Sequence, residues 1–295
     1  MAGSRHWDHA ELEAWEARGT YLDIGGDDVF VVDVASAVQP EGDPLVIVHG
    51  FPTSSFDFAH LVDALARRRR VVTMDLLGFG LSTKADRRYT MALQADVVAA
   101  VLAARGVGRC ALLTHDMGDT VGGELLARSL EGTWPVEVTS RVVTNGSIYI
   151  DMARLTAGQQ MLLSLPDEPS ARGPGRDVLA ASLAATLAPA NAGVDMGAHA
   201  ELVCHRAGDT LLARTIRYIE ERRANERRFT GAIETHPSPL CVVWGPEDPI
   251  AVAAMADRLV HARPDAALTW IDGAGHYPQI EAPDAFLAAV EDGLA

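Results

Sequence analysis

The sequence predicts an α/β fold: a mostly parallel, doubly wound sheet with helices on both faces and an inserted helical subdomain. Two observations lead there. Short apolar or β-branched runs alternate with stretches of helical periodicity, and one long interval, 147–230, breaks that alternation because it has no convincing strand. Tyr21 to Ile24 and Val29 to Val34 come first. Only Gly25-Gly26-Asp27-Asp28 separates them, so they should pair antiparallel. Strand Leu45 to Val48 leads to a helix over Phe56 to Arg67, and strand Val71 to Met74 to a helix over Met91 to Arg105. Strand Ala111 to Thr114 runs directly into a helix over Gly118 to Leu130, and Val138 to Thr144 is the sixth strand. After the interval come strand Leu240 to Trp244, helix Val252 to His261, strand Leu268 to Ile271 and helix Pro283 to Leu294. The interval reads as helices joined by the Pro- and Gly-rich stretch from Leu165 to Gly175. The expected organisation is therefore a core over 1–146 and 231–295 with a helical cap over 147–230.

Composition limits the function. Apolar residues at 48% and charged residues at 22% supply a large buried sheet. A formal net charge of −15 argues against a nucleic-acid partner and against anionic membrane surfaces. The four arginines Arg67 to Arg70 form the one charge run, read as a solvated helix end. Cys110, Cys204 and Cys241 are odd in number, lack metal-ligand spacing and read as reduced core residues. The stretch Met1 to Gly19 has no apolar h-region, and no spanning segment follows, so a cytoplasmic location is expected.

Four short segments carry chemistry. Ala111-Leu112-Leu113-Thr114-His115-Asp116-Met117-Gly118-Asp119 passes from strand to helix, the setting in which a sharp turn lifts one side chain above the sheet end. Asp116 occupies that position; taken alone it could equally be a helix cap. Val46-Ile47-Val48-His49-Gly50-Phe51-Pro52 places a turn beside it, where the amides of Phe51 and Met117 would form an oxyanion hole. Val243-Trp244-Gly245-Pro246-Glu247-Asp248 offers a carboxylate after one strand, and Gly273-Ala274-Gly275-His276 an imidazole after the next. The order Asp116, Asp248, His276 is nucleophile, acid, base.

With these segments the chain resembles the Asp-nucleophile branch of the α/β-hydrolase superfamily, which holds epoxide hydrolases and haloalkane dehalogenases. Within it, the resemblance is to hydrolases of the mesoderm-specific transcript type. It also rests on Asp75-Leu76-Leu77-Gly78-Phe79-Gly80-Leu81-Ser82, Thr144-Asn145-Gly146, Arg217-Tyr218-Ile219 with its basic continuation, and His276-Tyr277-Pro278-Gln279-Ile280-Glu281. The interval from Asp151 to Asp209 matches poorly. The resemblance implies the α/β-hydrolase fold, attack of Asp116 on an sp³ carbon to form an alkyl ester, and hydrolysis of that ester by water activated by His276.

The leaving group is the open choice. Dehalogenases of this branch hold halide with a Trp after the nucleophile, assisted by an Asn in the loop after the third strand or by a cap Trp. Here Met117 and Phe51 stand at the first two positions, and no Trp lies between Ser147 and Thr230. Epoxide hydrolases use cap tyrosines as acids, and the interval holds two, Tyr149 and Tyr218. On the stretch Leu211 to Arg228, Leu212, Ile216 and Ile219 form one stripe; Tyr218 falls roughly 100° from it and could face the cleft. The reading is an epoxide hydrolase acting on an apolar epoxide without metal or cofactor, with a homodimer compatible with the sequence. The alternatives are a dehalogenase with an atypical halide site and a non-catalytic ligand-binding protein on the same fold.

Overall fold

A computed structural model describes residues 7–38 and 42–294. Residues 1–6 of the N-terminal stretch read for a leader lie outside it. Eight strands form one sheet: β1 (Thr20–Ile24), β2 (Asp27–Val34), β3 (Leu45–Val48), β4 (Val71–Met74), β5 (Arg109–His115), β6 (Glu137–Thr144), β7 (Leu240–Trp244) and β8 (Ala267–Trp270). Their order across the sheet is β1-β2-β4-β3-β5-β6-β7-β8. The β1–β2 and β2–β4 pairs are antiparallel, and every pair from β4 to β8 is parallel. β3, β4 and β7 are buried throughout, because helices cover both faces and leave no polar side to the strand. The chain folds back across the sheet at β3 and β5, so the loops after these two strands open side by side at the carboxyl edge.

Three elements differ from expectation. The N-terminal helix Ala10–Arg18, unforeseen in the sequence, buries Leu12 and Trp15, one turn apart on one face. The expected helix over Phe56 to Arg67 is broken into a 3₁₀ turn, Ser55–Phe58, and a single α turn, Val62–Leu65. Its polar residues are turned inward: the Ser54 hydroxyl accepts from the Phe56 amide, Ser55 binds Asp75, and buried Asp57 takes bonds from Thr53 and His199. Those anchors fix a tight turn where apolar spacing alone would allow a helix.

Between β6 and β7 the described chain is helical, with α-helices Ala157–Ser164, Arg176–Ala184, Gly197–Cys204, Leu212–Thr215, Tyr218–Ala224 and Glu226–Thr235. The expected single amphipathic run from Leu211 to Arg228 is three pieces. Arg217 interrupts it by donating to Ala213 O at 2.9 Å and Leu163 O at 3.0 Å, and Asn225 interrupts it again with φ −124°. The last helix crosses position 230 and packs against the helix Met117–Leu130 of the core. Buried Arg141 on β6 secures the return to β7, donating to Ile233 O, His236 O and the Ser238 hydroxyl. Among the described residues no helix is long and apolar enough to cross a membrane.

Candidate active site

Asp116 directly follows β5 and caps the helix Met117–Leu130 with φ 51° and ψ −112°. A non-glycine residue held there is strained, and the surroundings must hold it. Gly50 and Gly118 allow the elbow to sit close: a Cβ on Gly50 would lie 2.6 Å from Asp116 Cβ, and one on Gly118 would strike Val48 O. The Phe51 amide donates to Asp116 Oδ2 at 2.9 Å. Among the described residues the Met117 amide makes no bond to that carboxylate, so the structure aims one of the two expected donors at it.

His276 follows β8 on a loop that brings it back over the sheet edge. Its Nδ1 lies 2.8 Å from Asp248 Oδ2, and both residues are buried. Asp248 Oδ1 accepts from the Ile250 and Ala251 amides at 2.7 and 3.0 Å. Its Oδ2 accepts a second bond, from Asn145 Nδ2 at 2.9 Å. Burial works against the imidazolium, but the Asp248 carboxylate, and after it the Asp116 charge, outweigh burial and push His276 up to about 9. The structure thus brings Asp116, His276 and Asp248 to one site, with the His276 ring oriented by Asp248.

Sequence reasoning missed two positioning residues. Asn145, at φ 45°, donates to Asp248, Gly245 O and Gly275 O and accepts from the Gly245 amide, so it ties three loops together. The segment Thr144-Asn145-Gly146 contributes to the family resemblance, but a role for the Asn145 amide emerges only when β6 and β7 are neighbours. His115 Nε2 lies 2.8 Å from His276 O and holds the loop that carries His276, while burial keeps the His115 imidazole's pKa below its ordinary value.

The two tyrosines part ways. Tyr149 does not reach the site: its hydroxyl donates to Glu234 at 2.7 Å and Arg258 stacks on its ring at 4.0 Å. It borders an open cavity of about 620 Å³ with Glu226, Arg228 and Thr235, which holds no member of the Asp116 group. Tyr218 is buried at the start of the helix Tyr218–Ala224, with its ring 5.6 Å from that of Phe51. Burial, then the nearby Asp116 charge, raises its phenol far above the ordinary range, so it stays protonated. Among the described residues its hydroxyl has no hydrogen-bond partner.

Above His276 lies a cavity of about 220 Å³. Phe51, Leu162, Leu179, Leu183, Leu212 and Ile250 supply its apolar wall, and Thr156, Gln159, Ser182 and Thr186 its polar groups. Asp116 and Tyr218 are not in its lining; Phe51, which touches both, is. Among the described residues no group of His, Cys, Asp or Glu gathers to hold a metal ion.

A model of the alpha/beta hydrolase family matches residues 45–289, which takes in every strand from β3 onward and the whole Asp116 group. The chain belongs to the alpha/beta hydrolase family. This alpha/beta hydrolase is 36% identical to a Mycobacterium tuberculosis hydrolase named LipZ, covering 94% of this chain and 96% of LipZ. It is 29% identical to the mouse (Mus musculus) mesoderm-specific transcript protein, over 94% of this chain and 86% of that one. A haloalkane dehalogenase of Sphingobium indicum is 32% identical over 38% of each chain. Among solved structures, an alpha/beta hydrolase fold protein from Burkholderia ambifaria superposes with a TM-score of 0.69 at 22% identity, covering 93% of this chain and 99% of that one. The family and these relatives make the protein a hydrolase.

Proposed function

We propose that this hydrolase opens epoxides with Asp116 as the nucleophile and releases a vicinal diol. The observation that supports this best is a carboxylate at the strained elbow beside a separately oriented His276–Asp248 pair. A carboxylate there suits displacement at an sp³ carbon, forming an ester that a second group must hydrolyse. Asp116 attacks one epoxide carbon, the C–O bond breaks, and Tyr218 protonates the leaving oxygen, becoming a phenolate. Esterification removes the Asp116 charge that helps keep His276 protonated, so His276 passes its proton to the phenolate. Neutral His276 then takes a proton from water as it attacks the ester carbonyl, and the Phe51 amide stabilises the oxyanion. Collapse expels the diol oxygen, which receives that proton, and the regenerated carboxyl returns its own to His276. Atoms and charge close on the resting state.

The cavity narrows the substrate. A dry cavity of about 150 Å³ accommodates benzene, so a space of about 220 Å³ suits a body somewhat larger than one ring. His276 is its one titratable wall group besides the Tyr277 phenol, which favours an uncharged substrate. The reacting carbon reaches Asp116 by displacing the Phe51 ring. A halide-releasing reading is second, supported by the dehalogenase similarity, but Met117 provides no indole N–H for a halide. Incubation with styrene oxide and with bromoalkanes, following diol and bromide, tests the choice: diol without bromide supports the epoxide reading, and bromide alone overturns it.

A further inference from the structure

Arg222 is among the largest fully buried side chains, at 1% exposure, yet among the described residues no carboxylate hydrogen-bonds to it. A guanidinium taken out of water is costly to the fold unless its donors and charge are used. Its donors go to three places around the elbow: Nε to the Thr120 hydroxyl at 2.8 Å, Nη1 to Ser147 O at 2.7 Å and Nη2 towards Asp116 O at 3.5 Å. The first lies on the helix behind Asp116, the second just past β6, and the third is the carbonyl of Asp116 itself. Arg222 stands four residues after Tyr218 on one helix, hence on the same face, and its Cζ is 5.0 Å from the centre of the Tyr218 ring. Asp119, the nearby acid, is buried, takes a bond from Thr114, and leaves Oδ2 without a partner; burial favours its neutral form. No hydrogen bond joins Asp119 to Arg222 among the described residues, and the guanidinium faces the Asp116 carbonyl and the phenol ring.

We propose that Arg222 is a positioning residue that fixes Tyr218 against the elbow and stabilises the phenolate formed when Tyr218 protonates the leaving oxygen. The inference rests on Tyr218 being the acid. A cation on a ring face attracts a neutral phenol weakly and a phenolate strongly, so its effect falls on the transition state of epoxide opening and not on binding. Ester hydrolysis, in which Tyr218 is neutral again, is spared.

The test measures single-turnover alkylation of Asp116 by styrene oxide in Arg222→Gln, Arg222→Lys and Tyr218→Phe, each made in a His276→Ala background so that the ester accumulates. Arg222→Gln should slow alkylation about 10-fold or more with little change in the half-saturating epoxide concentration, and Arg222→Lys should restore part of the loss. Placing a fluorinated, more acidic tyrosine at position 218 should rescue Arg222→Gln more than it speeds the parent, which a merely structural role would not produce. Alkylation at the parent rate in folded Arg222→Gln, or equal acceleration of both backgrounds by the fluorinated tyrosine, overturns the proposal. If Arg222→Gln does not fold, Arg222→Lys with and without the fluorinated tyrosine decides by the same comparison. Undiminished alkylation in Tyr218→Phe would instead remove the acid reading on which the proposal stands.

Discussion

Replacing Asp248 by Asn changes one atom and reverses the bonding demanded of it. In the protein both carboxylate oxygens accept, Oδ1 from the Ile250 and Ala251 amides and Oδ2 from Asn145 and His276. A carboxamide satisfies only one side. If its oxygen stays on the two backbone amides, its NH₂ faces Asn145 Nδ2, a donor, and compels His276 Nδ1 to accept. The imidazole proton then sits on Nε2, the wrong tautomer for a base. If the amide turns over, the two backbone amides face a donor and are left unsatisfied. Either arrangement strands buried donors at about 1–3 kcal/mol each, so Asp248→Asn should lose about 2–4 kcal/mol of stability. The charge that opposes burial at His276 also disappears, so the imidazolium formed during water attack is no longer supported. Loss of the orienting acid and tautomer in a histidine-based site costs on the order of 10³–10⁴ in rate, and here it should fall on ester hydrolysis while alkylation survives. Quenched-flow turnover with mass spectrometry of the Asp116 peptide measures both steps, and urea unfolding measures the stability. Steady-state turnover within a factor of about three of wild type would refute the assigned role of Asp248, since that is below the smallest loss argued here.

Four further outcomes follow from the same geometry. Tyr218→Phe should slow epoxide opening by about 10² in single-turnover kinetics, whereas Tyr149→Phe, which loses a bond to Glu234 away from the site, should leave the rate unchanged and cost about 1 kcal/mol of stability in urea unfolding. Gly50→Ala should lower stability by about 1–3 kcal/mol and displace Asp116, because its Cβ would lie 2.6 Å from Asp116 Cβ; thermal melting and the alkylation rate check this. Asn145→Ala should cost about 2–4 kcal/mol, from bonds to Asp248 and Gly245 and from φ 45°, as read by chemical denaturation. His276 is raised to about 9 in the folded chain from an ordinary value of 6.5. Its stabilisation, at most about 3 kcal/mol, is therefore fully present below pH ~6.5 and lost as pH rises through ~9. Urea unfolding across that window should show the loss in wild type and not in Asp248→Asn.

Much of the fold was legible because fully buried strands announce themselves: Leu45–Val48, Val71–Met74 and Leu240–Trp244 are runs that a sheet covered on both faces requires. Asp116 and Asp248 were legible because each follows a buried run closely, whereas His276 follows the partly buried strand Ala267–Trp270 across a Gly-rich loop and was legible from that loop and the chain order. What failed to show depended on partners distant in sequence. Phe56 to Arg67 has helical spacing, but Asp57 is drawn inward by Thr53 and by His199, the latter 142 residues away. Tyr149 could not be told from Tyr218 by position alone, because Glu234, 85 residues on, captures its hydroxyl. The break at Arg217 was hidden likewise, since its guanidinium reaches the carbonyls of Leu163 and Leu165 on another helix.

The central claim is that Asp116 becomes covalently bound to substrate and is freed by water at its own carbonyl. A single turnover of excess enzyme with styrene oxide in heavy-oxygen water addresses it directly. Attack of water on the ester carbonyl leaves the label in Asp116 and gives an unlabelled diol, because one diol oxygen comes from the epoxide and the other from the enzyme. The account predicts a mass increase confined to the proteolytic peptide that contains Asp116. Label in the diol after one turnover, with none in that peptide, would mean that water attacks the substrate directly and would contradict it.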